Sequence, residues 1–400
     1  MPEIALINPP SPFLINDRTF PNLGLMYISA YLKKYGYKSR IVDLSGGRQI
    51  PTINDDIIGF YSTTPQYPFV LDILNKIREK NTDALYVIGG PHATCDPETV
   101  LNFDVSIVGE GEDAMLRIAM NPLWPFPSRL KSHPVIIDEI PFPNRDAMDI
   151  HDFKYKIDGE PATSMMTSRG CCFDCAFCCK VFGKKIRFRS AKNVALELEE
   201  LQNKYGYNAA MLYDDEFFIN RERDIEICNS FKERKMLWRC FTRSNLVDEK
   251  LIRIASESGL REILIGIESG SDRILKNVNK GTTVEMNKKA IKTIRKYGIR
   301  VKLAMILCLP GENEESLQET EDFLDSIEFD DIDFSILQVY PGTEIYKNPD
   351  NYDIIYGKSK WFKGKPNGYS ECGPVSTSSL SFERILEVRD RFEKKYKRWK

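Results

Sequence analysis

Short apolar runs alternate with amphipathic stretches along most of the chain, and that alternation narrows the possible folds more than any other feature. In the first part, Glu3–Asn8, Arg40–Leu44, Asp56–Tyr61, Leu85–Ile88 and Val105–Val108 read as strands. Leu23–Tyr35 and Pro68–Glu79 read as helices. Leu25, Ile28, Leu32 and Tyr35 share one face of the first, and Gly36 stops it. Strands that are apolar throughout and separated by helices predict a parallel, doubly wound sheet covered on both faces. Such sheets bind ligands outside the carboxyl ends of their strands. Those ends carry Asn8-Pro9-Pro10, Ser62-Thr63-Thr64, Gly89-Gly90-Pro91-His92 and Gly109-Glu110-Gly111-Glu112, a candidate pocket. Leu44 to Asp56 leaves only about a dozen residues, too tight for the usual crossover helix.

A second series begins at Ala162. Its strands are expected at Thr163–Ser168, Ala209–Tyr213, Leu237–Thr242, Glu262–Ile267, Val301–Leu307 and Phe334–Tyr340. Helical stretches at Ala191–Tyr205, Glu222–Arg234, Asp248–Ser258, Asp272–Lys276, Thr283–Tyr297 and Glu315–Ile327 separate or follow them. Six alternations predict a partial (β/α)6 barrel of TIM type. The fold expected is therefore α/β, with a Rossmann-like domain at 1–120, a proline-rich linker at 121–160 and the barrel at 161–345. A C-terminal cap and helix fill 346–400. That last helix, Phe382–Lys400, has a basic tip that complements its dipole. Tyr352, Tyr356, Trp361, Phe362 and Tyr369 suit either a cap over the barrel or ordinary packing.

The formal net charge of -2 gives no positive field to gather nucleic acid or an anionic membrane. No apolar run approaches the roughly 18 residues of a membrane span, and MPEIALINPP lacks the features of a signal peptide. A cytoplasmic protein is expected, with no nucleic-acid partner and no membrane span. The cysteines are the anomaly. There are 10, and five of them (Cys171, Cys172, Cys175, Cys178 and Cys179) fall between positions 171 and 179. A disulfide framework would spread along a small secreted chain, whereas one dense cluster reads as a metal or iron–sulfur site. Cys171, Cys175 and Cys178 have C-x3-C-x2-C spacing after the first barrel strand, and Gly170 lets the chain turn. Three thiolates on one loop can hold three corners of a [4Fe–4S] cluster. The fourth iron then stays open to a chelating amine and carboxylate, with Phe177 shielding one side. The sets 172/175/178 and 171/175/179 remain open. Structural zinc wants a fourth protein ligand, and His92, His133 and His151 form no matching pair.

From these residues the chain resembles the radical S-adenosylmethionine (SAM) enzymes, in the subgroup with an N-terminal cobalamin-binding domain. The resemblance extends through Ile140-Pro141-Phe142-Pro143-x-Arg145, Arg187-x-Arg189-Ser190 and Tyr213-Asp214-Asp215-Glu216-x-Phe218. It continues in Thr242-Arg243, Gly266-Ile267-Glu268-Ser269-Gly270, Leu309-Pro310-Gly311-Glu312 and Tyr340-Pro341-Gly342-Thr343. It implies three cofactors: a [4Fe–4S] cluster on Cys171, Cys175 and Cys178, SAM, and cobalamin. It implies that Asp215 or Glu216 accepts the SAM ammonium, Arg243 pairs with its carboxylate, and Glu268, beside Ser269, takes the ribose hydroxyls. Cobalamin would meet the edge formed by Asn8, Ser62, Thr63, Gly90, His92, Gly109 and Glu110. Two departures concern that domain. The loop after the first strand has no histidine to stand below cobalt, and the crossover helix is missing.

The resemblance further implies reductive cleavage of SAM to a 5'-deoxyadenosyl radical, with an external one-electron reductant. The leading expectation is a cobalamin-dependent methyltransferase acting on an unactivated carbon of a small molecule, lipid, sugar or peptide. A radical SAM enzyme without cobalamin (an epimerase, or one performing rearrangement or dehydrogenation) is the alternative. A non-catalytic iron–sulfur or cobalamin sensor is a third. A methylthiotransferase is disfavoured, because residues 1–150 contain Cys95 alone and cannot build a second three-cysteine cluster. Cys308 reads as buried packing and Cys372 as a free thiol or a radical quencher.

Overall fold

The computed structural model describes residues 1–98, 100–123, 125–356 and 375–398. Trp361, Phe362, Tyr369 and Cys372 lie outside the described residues. The chain forms two compact units, one spanning Met1–Lys154 and the other starting at Tyr155. No helix among the described residues is long and apolar enough to cross a membrane.

The first unit runs β1 (Ile4–Asn8), α1 (Leu23–Lys34), β2 (Ser39–Asp43), β3 (Ile57–Tyr61), α2 (Tyr67–Arg78), β4 (Leu85–Gly89), α3 (Pro91–Cys95), β5 (Val105–Val108), α4 (Gly111–Met120) and β6 (Arg129–Lys131). All six strands are parallel, in the order β2-β1-β3-β4-β5-β6. Ile7, Ile58, Phe60 and Ile88 face Ile73, Leu74 and Ile77 of α2 in one buried cluster, while α1 packs on α4. Between β2 and β3 there is only a short 3-10 turn at Ser45–Gly47. Leu44 and Ile53 enter the core in place of a helix, and a groove of about 610 Å³ opens beside α2, lined in part by Ile50, Ile53, Ile73 and Lys76. Two features differ from the sequence expectation. A full helix, α4, follows the Gly109–Glu112 turn. Arg129–Lys131, inside the proline-rich stretch, adds a parallel edge strand to the sheet.

The second unit contains β7 (Lys156–Ile157), β8 (Glu160–Met165), β9 (Ser168–Arg169), β10 (Arg187–Phe188), α5 (Ala191–Asn203), β11 (Ala209–Leu212), α6 (Arg221–Arg234), β12 (Leu237–Thr242), α7 (Glu249–Glu257), β13 (Leu260–Glu268), α8 (Asp272–Asn277), α9 (Val284–Lys296), β14 (Arg300–Leu307), α10 (Glu314–Asp325), β15 (Asp331–Ile336), α11 (Glu344–Lys347), β16 (Ile355–Tyr356), β17 (Val375–Ser376) and α12 (Phe382–Tyr396). Strands β8, β11, β12, β13, β14 and β15 lie side by side in chain order and all parallel, the partial (β/α)6 barrel; β7 adds an antiparallel edge. One face of each strand packs outward under helices. Trp238 stacks on Phe231 of α6 at 5.1 Å, and Phe334 meets Phe392 of α12 at 5.5 Å. The alternate face carries charges near the amino ends of the strands, and they neutralise one another. Arg239 pairs with Glu262 at 2.9 Å, Arg300 with Asp158 at 2.8 Å, and Lys302 with Asp331 and Asp333 at 3.0 and 2.9 Å. The carboxyl ends are thereby left as the end where a site is built.

Strand β15 occupies Asp331–Ile336 and not Phe334–Tyr340. Its two aspartates look like turn residues in sequence, yet they face Lys302 of β14 while Ile332, Phe334 and Ile336 are buried on the other side. Strand β8 stops at Met165, earlier than the expected Ser168. Ser168 and Arg169 leave the barrel and pair antiparallel with Phe188 and Arg187. The terminal helix is tied down by more than its dipole. Lys395 reaches Glu321 and Asp325 of α10 at 3.0 and 2.9 Å, and Arg391 reaches Glu321 at 2.8 Å.

Candidate active site

The β9–β10 pair closes a neck beneath the cysteine loop, and a buried polar frame fixes that neck. Asp214, just past β11, accepts from the Thr167 amide at 2.6 Å, from the Thr167 hydroxyl, and from the Ser168 hydroxyl at 2.6 Å. Burial raises the Asp214 carboxyl, opposed by those donors and by Arg223. Arg223 of α6 donates to Thr167 O at 2.6 Å, to Arg189 O at 2.7 Å and to Asp224 at 2.8 Å. Arg189 in turn donates to Met166 O at 2.7 Å and pairs with Glu197 of α5, while Ser190 caps α5 through the Asn193 amide. These residues carry the sequence pattern around positions 187–190 and 214, and the structure gives them a bracing task. Gly170, at φ +100, then turns the chain into the loop; a Cβ there would stand 2.6 Å from Lys185 O.

Inside the loop, Cys171 N donates to Gly183 O at 3.2 Å, Cys178 N to Cys175 O at 3.1 Å, and Ala176 N to Val278 O at 2.9 Å. Cys175 is buried, Cys171 is half-buried, and Cys172 and Cys178 are both exposed. Burial pushes the Cys171 thiol up to about 11. Protein packed around Cys178 pushes its thiol up to about 12, and the neighbouring Cys175 and Cys171 add to the effect. The Cys171 and Cys178 thiols therefore resist ionisation until a cation neutralises them, which is the behaviour of a metal or cluster site. Among the described residues no three His, Cys, Asp or Glu side chains are grouped to hold a single metal ion. Phe177 is half-buried on the same loop.

The carboxyl ends of the next strands surround the loop. Asp215 accepts from Gly170 N at 3.1 Å, and burial raises its carboxyl. Glu216 is half-buried, and burial of its carboxyl pushes it up to about 8 against the pull of Lys280 and Arg243. Its Oε2 has no hydrogen-bond partner. An acceptor left orphaned this deep is expensive unless a ligand completes it. Arg243, directly after β12, donates to Cys175 Sγ at 3.0 Å and to Lys280 O, and its guanidinium lies 3.9 Å from the Phe173 ring centroid. A register shift between Gly266 and Glu268 bulges β13 and re-aims Glu268, which takes φ +67. Glu268 Oε1 accepts from Lys280 Nζ at 2.7 Å. Ser269 is buried and accepts from Ser271 N at 3.2 Å. Lys280 is the residue that sequence reasoning missed. It lies in the short turn between α8 and α9, where a lysine beside Gly281 carries no motif. Cys308 is buried, with Sγ 3.3 Å from Val375 O.

The carboxyl edge of the first unit is built from small, internally braced turns. Asn8 bridges Asp43 at 2.8 Å and Asn22 at 3.0 Å. Ser62 donates to Thr63 O at 3.0 Å, and Thr63 caps the following turn through Gln66. Gly90 takes φ +96, and a Cβ there would lie 2.9 Å from Ser62 O, so two turns can touch only at glycine. Gly109 N donates to Thr94 Oγ1 at 3.1 Å, and Glu110 precedes α4 as its N-cap. His92 points inward. It is buried, with Nδ1 3.2 Å from Thr64 Oγ1 and its ring 4.2 Å from that of Tyr67. Burial lowers it to about 4. Because the folded value lies below the unfolded 6.5, this histidine favours folding above pH 6.5 and loses that contribution as pH falls toward 4. The loss should be of order 3 kcal/mol. Denaturant unfolding of wild type and His92→Asn between pH 7 and 4.5 checks it. Parallel pH profiles for the two proteins would refute this account of His92.

Comparison with known proteins decides the family. Residues 165–324 match the radical SAM superfamily model, and residues 17–119 match the B12 binding domain model. An uncharacterized methyltransferase of Pyrococcus horikoshii is 30% identical over 381 residues, covering 86% of this chain and 82% of that protein. The chain belongs to the radical SAM superfamily. Within it, this chain is a radical SAM enzyme that also carries a B12-binding domain. A putative methylthiotransferase of Methanocaldococcus jannaschii is 30% identical over 396 residues, 91% of this chain and 85% of that one. The radical SAM methyltransferase TsrM from Kitasatospora setae, solved with cobalamin and a [4Fe–4S] cluster, superposes with TM-score 0.74 over 98% of this chain and 81% of its own. At 14% identity that likeness speaks for the fold.

The radical SAM barrel thus brings Cys171, Cys175, Cys178, Asp215, Glu216, Arg243, Glu268 and the unforeseen Lys280 to one end. The donor set fits a cluster with SAM beside it: converging thiols, a guanidinium on one sulfur, and an orphaned buried carboxylate. The B12-binding unit offers an edge of small residues, which suits the flat face of a macrocycle, and holds His92 inside the domain.

Proposed function

We propose that the protein is a cobalamin-dependent radical SAM methyltransferase acting on an unactivated carbon of a small-molecule, lipid, sugar or peptide substrate. When bound, the cluster supplies one electron for cleavage of SAM, and cobalamin supplies a carrier for a methyl group. Cys171, Cys175 and Cys178, in C-x3-C-x2-C spacing, hold the cluster, and Cys172 stays outside it. Glu216 accepts the ammonium of SAM through Oε2, since Asp215 is already engaged by the Gly170 amide. Glu268 uses Oε1 to hold Lys280 and turns Oε2 to the ribose hydroxyls. Phe177 shields the loop from water. Asn8, Ser62, Thr63, Gly90, Gly109 and Glu110 form the floor for cobalamin, and His92 supports that floor from within.

The observation that carries this reading is the pairing, in one chain, of the three-cysteine loop beside an orphaned Glu216 with a B12-binding match. Methyl transfer is favoured over methylthio transfer because Cys95 alone lies in residues 1–150 and no second cluster can form there. The test is cofactor analysis of protein purified anaerobically and reconstituted with iron, sulfide and cobalamin. One cluster and one cobalamin per chain are expected. A cluster with no retained cobalamin would shift the reading to radical SAM chemistry without cobalamin, such as epimerisation, rearrangement or dehydrogenation.

A further inference from the structure

We propose that Arg243 is a positioning residue for the iron–sulfur cluster, holding the Cys175 thiolate, and is not the group that receives the SAM carboxylate. This rests on the reading that Cys171, Cys175 and Cys178 ligate a [4Fe–4S] cluster.

Arg243 is 2% exposed, and each of its three nitrogens already has a partner. Nη1 donates to Cys175 Sγ at 3.0 Å, Nη2 to Lys280 O, and Nε to Asn245 Oδ1 at 3.3 Å. A bidentate grip on a carboxylate needs two parallel N–H bonds from one edge of the guanidinium. Both edges here are partly committed. The flat face is committed too, because the Phe173 ring lies 3.9 Å away. Phe173 is on the cysteine loop, so the same side chain touches that loop twice. Through Lys280 O it also reaches the 278–281 turn, which grips the loop independently: Ala176 N donates to Val278 O at 2.9 Å, and Asn279 Nδ2 donates to Asp174 O at 3.0 Å. Arg243 is therefore the pin between the barrel's third parallel strand, the cysteine loop and that turn.

The choice of arginine follows from its chemistry. Its guanidinium keeps its charge when buried, is weakly hydrated, and stacks on an aromatic face as it donates sideways. A cationic donor on a ligand sulfur stabilises the cluster's more negative, reduced state, because hydrogen bonds to sulfur and local charge set the potential. Removing it should make the cluster harder to reduce.

The experiment compares wild type, Arg243→Gln and Arg243→Lys after anaerobic reconstitution. It measures iron content, the midpoint potential by titration followed through the reduced-cluster EPR signal, and SAM affinity by equilibrium dialysis. Arg243→Gln is expected to move the one-electron equilibrium about tenfold toward the oxidised cluster, which is 59 mV lower. Arg243→Lys, which keeps the charge without the fork, should fall between. A potential equal to wild type in the glutamine variant overturns the proposal, and a simultaneous large loss of SAM affinity would assign Arg243 to the carboxylate. If the glutamine variant takes up no iron, the lysine variant decides. A lowered potential supports the proposal, and an unchanged one overturns it. Wild-type protein that assembles no cluster would refute the underlying ligand assignment itself, a result distinct from an intact cluster of unaltered potential.

Discussion

Replacing Cys175 by alanine is expected to abolish the visible absorbance of the reconstituted cluster and to cut reductive cleavage of SAM by more than about 100-fold. Even partners that only orient a metal ligand cost ~10–100-fold when removed, so losing a ligand should cost more. Cys175 is the buried member of the three and receives Arg243. Without its sulfur the guanidinium loses one partner and the cluster loses the ligand best shielded from water. Cys171→Ala and Cys178→Ala should behave alike. Cys172→Ala should retain the cluster, because Cys171, Cys175 and Cys178 supply the C-x3-C-x2-C ligand spacing without it. Iron analysis and the visible spectrum check the series. Full iron in Cys175→Ala, or loss of iron in Cys172→Ala with retention in Cys171→Ala, would contradict the ligand set.

Asp214→Ala should be the most damaging change to stability near the site. Its carboxylate is fully buried and takes three donors from Thr167 and Ser168, the residues that start the neck. Removing it leaves those donors unpaired and strips Arg223 of a nearby counter-charge. Breaking a buried charged network of this kind costs about 3–5 kcal/mol, which for a unit this large lowers Tm by roughly 10 °C. Asp214→Asn keeps the shape and part of the hydrogen bonding, so it should fall between the two. Calorimetry on the apoprotein isolates this effect from cluster loss. A Tm within a degree of wild type in Asp214→Ala would refute the bracing role.

The parts of the molecule that were legible in sequence are those whose signal is local. Apolar runs at β1, β3, β5 and β12, and cysteines at fixed spacing, announce themselves without knowledge of their neighbours. The misreadings share a cause. Asp331 and Asp333 look like turn residues until Lys302 of the adjacent strand is seen opposite them. The start of α4 is hidden because Gly109 and Gly111 flank it and Glu110 makes no side-chain cap. The neck is invisible because Ser168–Arg169 and Arg187–Phe188 pair across the whole cysteine loop. The same holds within the site. Sequence placed Arg243 and Glu268 at strand ends, but only tertiary structure reveals that Cys175, Phe173 and Lys280 occupy them.

Labelled methyl groups give the most direct test of the central claim, that this chain joins radical SAM chemistry to cobalamin methyl transfer. Protein carrying both cofactors is incubated anaerobically with SAM bearing a labelled methyl group and a one-electron reductant, and the bound corrinoid and the nucleoside products are separated. The account predicts labelled methylcobalamin together with 5'-deoxyadenosine. Formation of 5'-deoxyadenosine with the label absent from the corrinoid would contradict it.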